Sequence, residues 1–202
     1  MYAEEDLAQR AAALERLRAE VEQDSGDGGR RPVFSEGTAG ARLMIVGEAP
    51  AEADERTRRP FSGPAGRLLR ASLVRVGIEP AATYLTNVVK CRPTRLDGGA
   101  VRNRPPTRAE ITRWSATLDH EIELVRPGLI LALGATAANR LLGPGPALTE
   151  RRGTLLPTRY GMPCLATMHP AYLLRLEGEA RARQEALYEQ DLNMVRRALE
   201  QP

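Results

Sequence analysis

The sequence predicts an α/β fold, a three-layer α/β/α sandwich around a central four-stranded, mainly parallel sheet. Four short apolar runs, "LMIVG" (43–47), "TYLTNVV" (83–89), "LILALG" (129–134) and "PCLATM" (163–168), are too short for typical helices and nearly continuous in apolar residues. That is the pattern of strands buried on both faces. Helical patterns at 64–76, 107–125 and 135–142 separate the runs, and a last one covers 178–200. Alternating strand and helix is the arrangement of a parallel sheet covered by helices on both sides.

In chain order, residues 3–23 come first, with Leu7, Leu14, Leu17 and Val21 at helical spacing. The breaker-rich "DSGDGGRRP" then starts a flexible linker reaching to about Gly40. Residues 1–40 are therefore expected to form an N-terminal helix and linker, and residues 41–202 one domain without internal repeats. A chain of 202 residues with 42% hydrophobic content suffices for one well-packed core.

Several function classes drop out on composition. No run approaches the roughly 18 apolar residues of a membrane span, and the acidic start "MYAEEDLAQR" is no secretion signal. Two distant cysteines argue against a disulfide framework and fit a reducing compartment, so a cytoplasmic location is expected. Lys90 is the single lysine among 29 basic residues, and arginines gather in "RTRRPF", "KCRPTR" and "VRNRPPTR". A genome's base composition produces such a bias, yet clustered guanidinium groups also suit phosphate, whose oxygens they grip as a fork.

In open parallel sheets the ligand site lies beyond the carboxyl ends of the strands. Here those ends read "GEAP", "NVVKCRP", "LGATAA" and "TMHPAYLL". Three of them carry polar or charged groups that a purely structural turn does not require.

Taken together, "GEAPAEADERTRRPFSGPAGRLL", "TNVVKCRP", "LGATAANRLLG" and "MHPAYLLR" resemble the uracil-DNA glycosylase superfamily, and within it family 4, the iron–sulfur-containing branch. The resemblance runs from about Leu43 to Leu199, with the motifs in the family's order. It implies an enzyme that flips a deoxyuridine out of DNA, recognises its edge and hydrolyses the bond from N1 to the sugar. As that bond breaks the sugar becomes cationic and the base anionic. The site then needs a flat apolar partner, edge hydrogen bonds, a donor at the developing oxyanion and a polar group for water.

By the resemblance, the catalytic residues are Glu48, Asn87 and His169, and the uracil-binding residues are Gly47, Ala49, Phe61, Asn87 and His169. Phe61 stacks on uracil. The Asn87 amide satisfies O4 and N3–H together, a pattern that cytosine reverses. His169 donates to O2, and Glu48 places the attacking water, with Asp54 and Glu55 as competing carboxylates. Lys90, Arg92, Arg95 and Arg175 are expected on phosphates, and Tyr172 and Leu173 in the gap left by the flipped base. A structural reading of "AYLLRL", as a helix start packing inward, stands beside the wedge.

Relatives in family 4 hold a four-iron, four-sulfur cluster with four cysteines. Residues 1–40 contain no cysteine, Cys91 matches the third ligand, and an ungapped count puts Trp114 at the fourth. One thiolate cannot hold a cubane, so no cofactor and no metal are expected and Cys91 is read as a relic or packing residue. Ala51 replaces a usual glycine, and "TRLDGGAVRNRP" is an insertion whose arginines suit a DNA strand. It lacks the histidine through which one family 4-like branch traps DNA, so ordinary turnover is expected. The expected protein is a monomeric uracil excision enzyme of base excision repair, acting on single- or double-stranded DNA. A glycosylase-like module that binds DNA without cleaving it, and an enzyme for hypoxanthine or xanthine, remain as alternatives.

Overall fold

A computed structural model describes residues 2–25 and 29–201. The chain begins with α1 (Tyr2–Gln23), enters β1 (Leu43–Gly47), and continues through α2 (Glu52–Thr57) and α3 (Pro64–Arg75) to β2 (Thr83–Asn87). A hairpin of β3 (Thr94–Asp97) and β4 (Ala100–Asn103) precedes α4 (Arg108–Val125), β5 (Leu129–Leu133) and α5 (Ala135–Leu142). The chain ends with α6 (Leu148–Arg151), β6 (Leu155–Pro157), β7 (Pro163–Thr167), α7 (Pro170–Leu173) and α8 (Gly178–Glu200).

The central sheet has five strands in the order β2-β1-β5-β7-β6, one more than the sequence implies. The four expected strands are there and mutually parallel, and β6 adds an antiparallel edge against β7. With three residues ending in proline, β6 is too short to show a strand pattern, and proline is tolerated at an edge.

Alternate residues of each strand feed opposite layers, which is why the strand sequences read as continuous apolar runs. Met44, Val46, Ile130, Ala132 and Ala166 pack towards α1, α4 and α5. Leu43, Ile45, Leu129, Leu131 and Leu165 pack towards α3 and α8. The helix expected at the N-terminus is part of the first layer: Leu14, Leu17 and Val21 are buried with Leu118, Ile122 and Val125 of α4. Arg10 fastens it by donating to the carbonyls of Leu124 (2.9 Å) and Val125 (3.2 Å) at the C-terminal end of α4.

The expected linker is packed from Val33 onward. Val33 and Phe34 are buried, Val33 N–H donates to the Lys90 carbonyl at 2.7 Å, and Glu36 bridges Leu85 of β2. Gly26, Asp27 and Gly28, the most breaker-rich part of that stretch, lie outside the described residues. Among the described residues, no helix is long and apolar enough to cross a membrane.

Candidate active site

The carboxyl ends of β1, β2, β5 and β7 open into a cleft of about 760 Å³, a usual size for a small-molecule pocket. Glu48, Ala49, Phe61, Asn87, His169 and Tyr172 all line it. Residues separated by more than 100 positions in sequence thus meet because parallel strands deliver their C-terminal ends to one edge.

Phe61 occupies the left-handed backbone region with φ 56°, a strained setting for an aromatic residue. Its surroundings hold it there. Arg70 donates to the Phe61 carbonyl at 3.3 Å. A Cβ on Gly66 would come within 1.7 Å of that same carbonyl oxygen, so only glycine fits below it. The Phe61 and His169 rings lie near parallel, 6.4 Å apart between centroids with 21° between planes.

Asp54 ties the two loops of the first motif together. Its carboxylate accepts from the backbone N–H of Ala51 at 2.9 Å and of Ser62 at 2.6 Å. Burial pushes the Asp54 pKa up, and backbone N–H groups of Ala51, Ser62, Gly63 and Phe61 oppose that rise. This carboxylate, one of the candidates for placing water, is spent on backbone. Ala51 sits in ordinary extended backbone with φ −102° and ψ −178°, so nothing there demands the usual glycine.

Glu48 is half-buried on the cleft wall and accepts from the Thr136 hydroxyl in the first turn of α5. Thr136 is a contributor that the sequence reading missed; its place in "LGATAA", directly after a strand, was the available signal. Gly47 stands behind the cleft rather than facing it. A Cβ there would meet Asn87 Oδ1 at 2.4 Å and the Phe61 ring at 2.7 Å, so its part is to let those two side chains approach.

His169 caps α7, and its Nδ1 accepts from the Ala171 N–H at 3.2 Å. Burial, with the nearby Arg175 charge adding to it, pulls its pKa down to about 4. The ring is neutral near pH 7, and because Nδ1 accepts, the proton sits on Nε2 as a donor.

Three expected DNA contacts are corrected by burial. Lys90 is wholly inaccessible: Nζ donates to Thr86 Oγ1 at 2.6 Å and to the Asn87 carbonyl at 2.9 Å, and pairs with Glu121 of α4. Tyr84 and Thr86 complete the shell of Glu121 at 3.0 and 2.9 Å. Burial lowers the Lys90 pKa while Glu121 opposes the shift. Arg92 is also buried, its guanidinium held by Asn103 at 2.7 Å, Glu52 at 3.2 Å and Glu55 at 3.3 Å. Leu173 packs into the layer under α8, while its neighbours Tyr172 and Leu174 are each 40% exposed. The helical phase of α7 decides which side chain faces out. Arg95 and Arg175 remain on the surface, and Arg175 lies on the cleft rim.

Cys91 donates to the Arg30 carbonyl at 3.4 Å and is buried in one apolar layer with Phe34, Val21 and Trp114. Among the described residues, no group of three or more His, Cys, Asp or Glu could hold a metal ion. The side chains around Cys91 therefore do not fit the four-thiolate cluster of family 4.

The family model for the uracil DNA glycosylase superfamily matches residues 34–193. The chain is 40% identical over 144 residues to a type-4 uracil-DNA glycosylase of Thermotoga maritima, covering 71% of either protein. It is 34% identical over 160 residues to a type-4 enzyme of Pyrobaculum aerophilum, covering 74% of this chain and 78% of that one. A type-5 uracil-DNA glycosylase of the same organism is 34% identical over 160 residues, covering 71% and 67%. With the cleft, the strand-end motifs and these relatives in agreement, the chain belongs to the uracil-DNA glycosylase superfamily.

Proposed function

We propose that this protein excises uracil from DNA by hydrolysing the N-glycosidic bond, leaving an abasic site, and that it does so without an iron–sulfur cluster. The observation that carries the reading is the meeting of Glu48, Phe61, Asn87 and His169 in one cleft. Phe61 offers the flat face on which the flipped base stacks. The Asn87 side chain meets O4 and N3–H of uracil, and the same amide presents the wrong pattern to cytosine. His169 Nε2–H donates to O2 as negative charge develops, which costs the site no proton transfer and no reorganisation. Glu48, oriented by Thr136, places the water and faces the cationic sugar.

Lys90 acts behind this surface rather than on DNA. Its bond to the Asn87 carbonyl fixes the backbone from which the uracil-reading amide projects. Tyr172 and Leu174, the exposed pair of α7 and its C-cap, take the wedge role, with Arg175 on phosphate beside them. The enzyme acts as a cytoplasmic monomer in base excision repair.

Asn87→Asp tests the reading. Wild type is expected to release uracil and leave cytosine in matched oligonucleotides, whereas the variant loses that discrimination. A wild type that binds both oligonucleotides and releases neither base points to a non-catalytic binder. Release of hypoxanthine or xanthine instead moves the substrate.

A further inference from the structure

The insertion "TRLDGGAVRNRP" is the β3–β4 hairpin, and its construction fits more than a spacer. Its turn is Gly98-Gly99 with φ 56° and 81°, the two positive values that a tight two-residue hairpin turn requires. Its base is anchored. Arg104 donates to the Thr94 carbonyl at 3.0 Å and grips Glu110 with two bonds of 2.7 Å, while Arg92 holds Asn103. Asn103, Arg104, Pro93 and Pro105 at this base line the cleft.

The tip is different. Leu96 and Val101 are cross-strand partners, 78% and 46% exposed, and they share a face with the cleft-lining Asn103. Arg95 and Arg102 pair across the opposite face, both exposed, with Asp97 3.8 Å from Arg95. An isolated hairpin gains little by exposing its apolar pair to water. An apolar pair continuing the wall of the cleft, backed by arginines, matches the chemistry of a nucleic acid strand.

We propose that this hairpin is a second DNA-engaging prong, facing the Tyr172–Leu174 prong across the cleft rim. Leu96 and Val101 rest on the base exposed beside the flipped nucleotide, and Arg95 and Arg102 neutralise backbone phosphates. Two prongs share the unstacking that base flipping requires, so the hairpin contributes only on substrates long enough to reach it. The proposal rests on the uracil-DNA reading above.

The test compares wild type with Leu96→Ser/Val101→Ser and Arg95→Ser/Arg102→Ser on two substrates, a long single-uracil duplex and a trinucleotide with a central deoxyuridine. Thermal melting of each variant should match wild type, because all four side chains are exposed. The apolar variant is expected to lose about tenfold in kcat/KM on the duplex, as for loss of a wedge contact, and nothing on the trinucleotide. The arginine variant should flatten the dependence of log affinity on log salt by about two phosphate contacts' worth. Unchanged duplex kinetics and salt slope, or an equal loss on both substrates, overturns the proposal. Should wild type release no uracil from either substrate, the activity reading fails by itself. Fluorescence anisotropy of the same duplex then decides the hairpin: weaker binding by both variants supports it, and equal binding ends it.

Discussion

Lys90 and Cys91 are adjacent in the chain and equally buried, yet they face opposite kinds of interior. Lys90 turns into a charged, fully hydrogen-bonded pocket with Glu121, Thr86 and the Asn87 carbonyl. Cys91 turns into the apolar layer with Trp114 and the N-terminal helix. The polar side supports the residue proposed to read uracil. The apolar side packs Cys91 against Phe34, Val21 and Trp114. Two neighbouring residues of one motif therefore part company, one held in a hydrogen-bonded charge network and the other in apolar packing.

Removing a partner on either side should cost stability in different ways. Lys90→Met leaves the Glu121 carboxylate buried without its cation, an expected loss of about 3–5 kcal/mol in urea unfolding. Adding Glu121→Met should recover much of that loss, because the uncompensated charge is gone. Trp114→Ala on the apolar side is expected to cost about 3–5 kcal/mol as well, through a cavity that no second substitution of a charge relieves. Full activity per folded molecule in Lys90→Met would break the comparison, since it would mean that the network does nothing for Asn87.

Gly66→Ala sharpens the polar side without touching charge. The added methyl must displace the Phe61 carbonyl, so uracil release should fall about a hundredfold, in line with the effect of a small misplacement of a positioned group. Unaltered kinetics would show that the strained Phe61 backbone is incidental.

A smaller effect concerns acid. His169 carries a folded pKa of about 4 against an ordinary 6.5. Unfolding then takes up a proton between those values, so this contribution to stability is full above pH 6.5 and declines as pH falls towards 4. His169→Gln should make the melting temperature less sensitive to pH in that window. An identical pH profile in wild type and variant would contradict the neutral, recessed imidazole. Least of all, Cys91→Ala should cost about 1 kcal/mol for a filled space lost in the core, with iron content and uracil release unchanged.

Much of this was legible beforehand because periodicity survives burial. Five helices and four strands follow from apolar spacing, and Glu48, Phe61, Asn87 and His169, which the structure brings to one cleft, came from the motifs' resemblance to the glycosylase family. What stayed hidden depends on distant partners or on phase. Lys90 read as a surface charge since its counter-ion lies 31 residues away on α4. Leu173 and Leu174 differ only in helical phase, which "AYLLRL" cannot set. Asp54 looked like a catalytic rival until both of its oxygens met backbone N–H groups. The β6 strand left no trace because three residues hold no period.

The measurement that bears most directly on a cluster-free uracil site is uracil release from a single-uracil oligonucleotide by chelator-treated, iron-free protein, with His169→Ala alongside. The account predicts alkali-labile strand breaks with wild type and a drop of about 10²–10³ in the variant, as for loss of an oxyanion donor. Activity that appears only after iron and sulfide are restored, or equal activity in the two proteins, would contradict it.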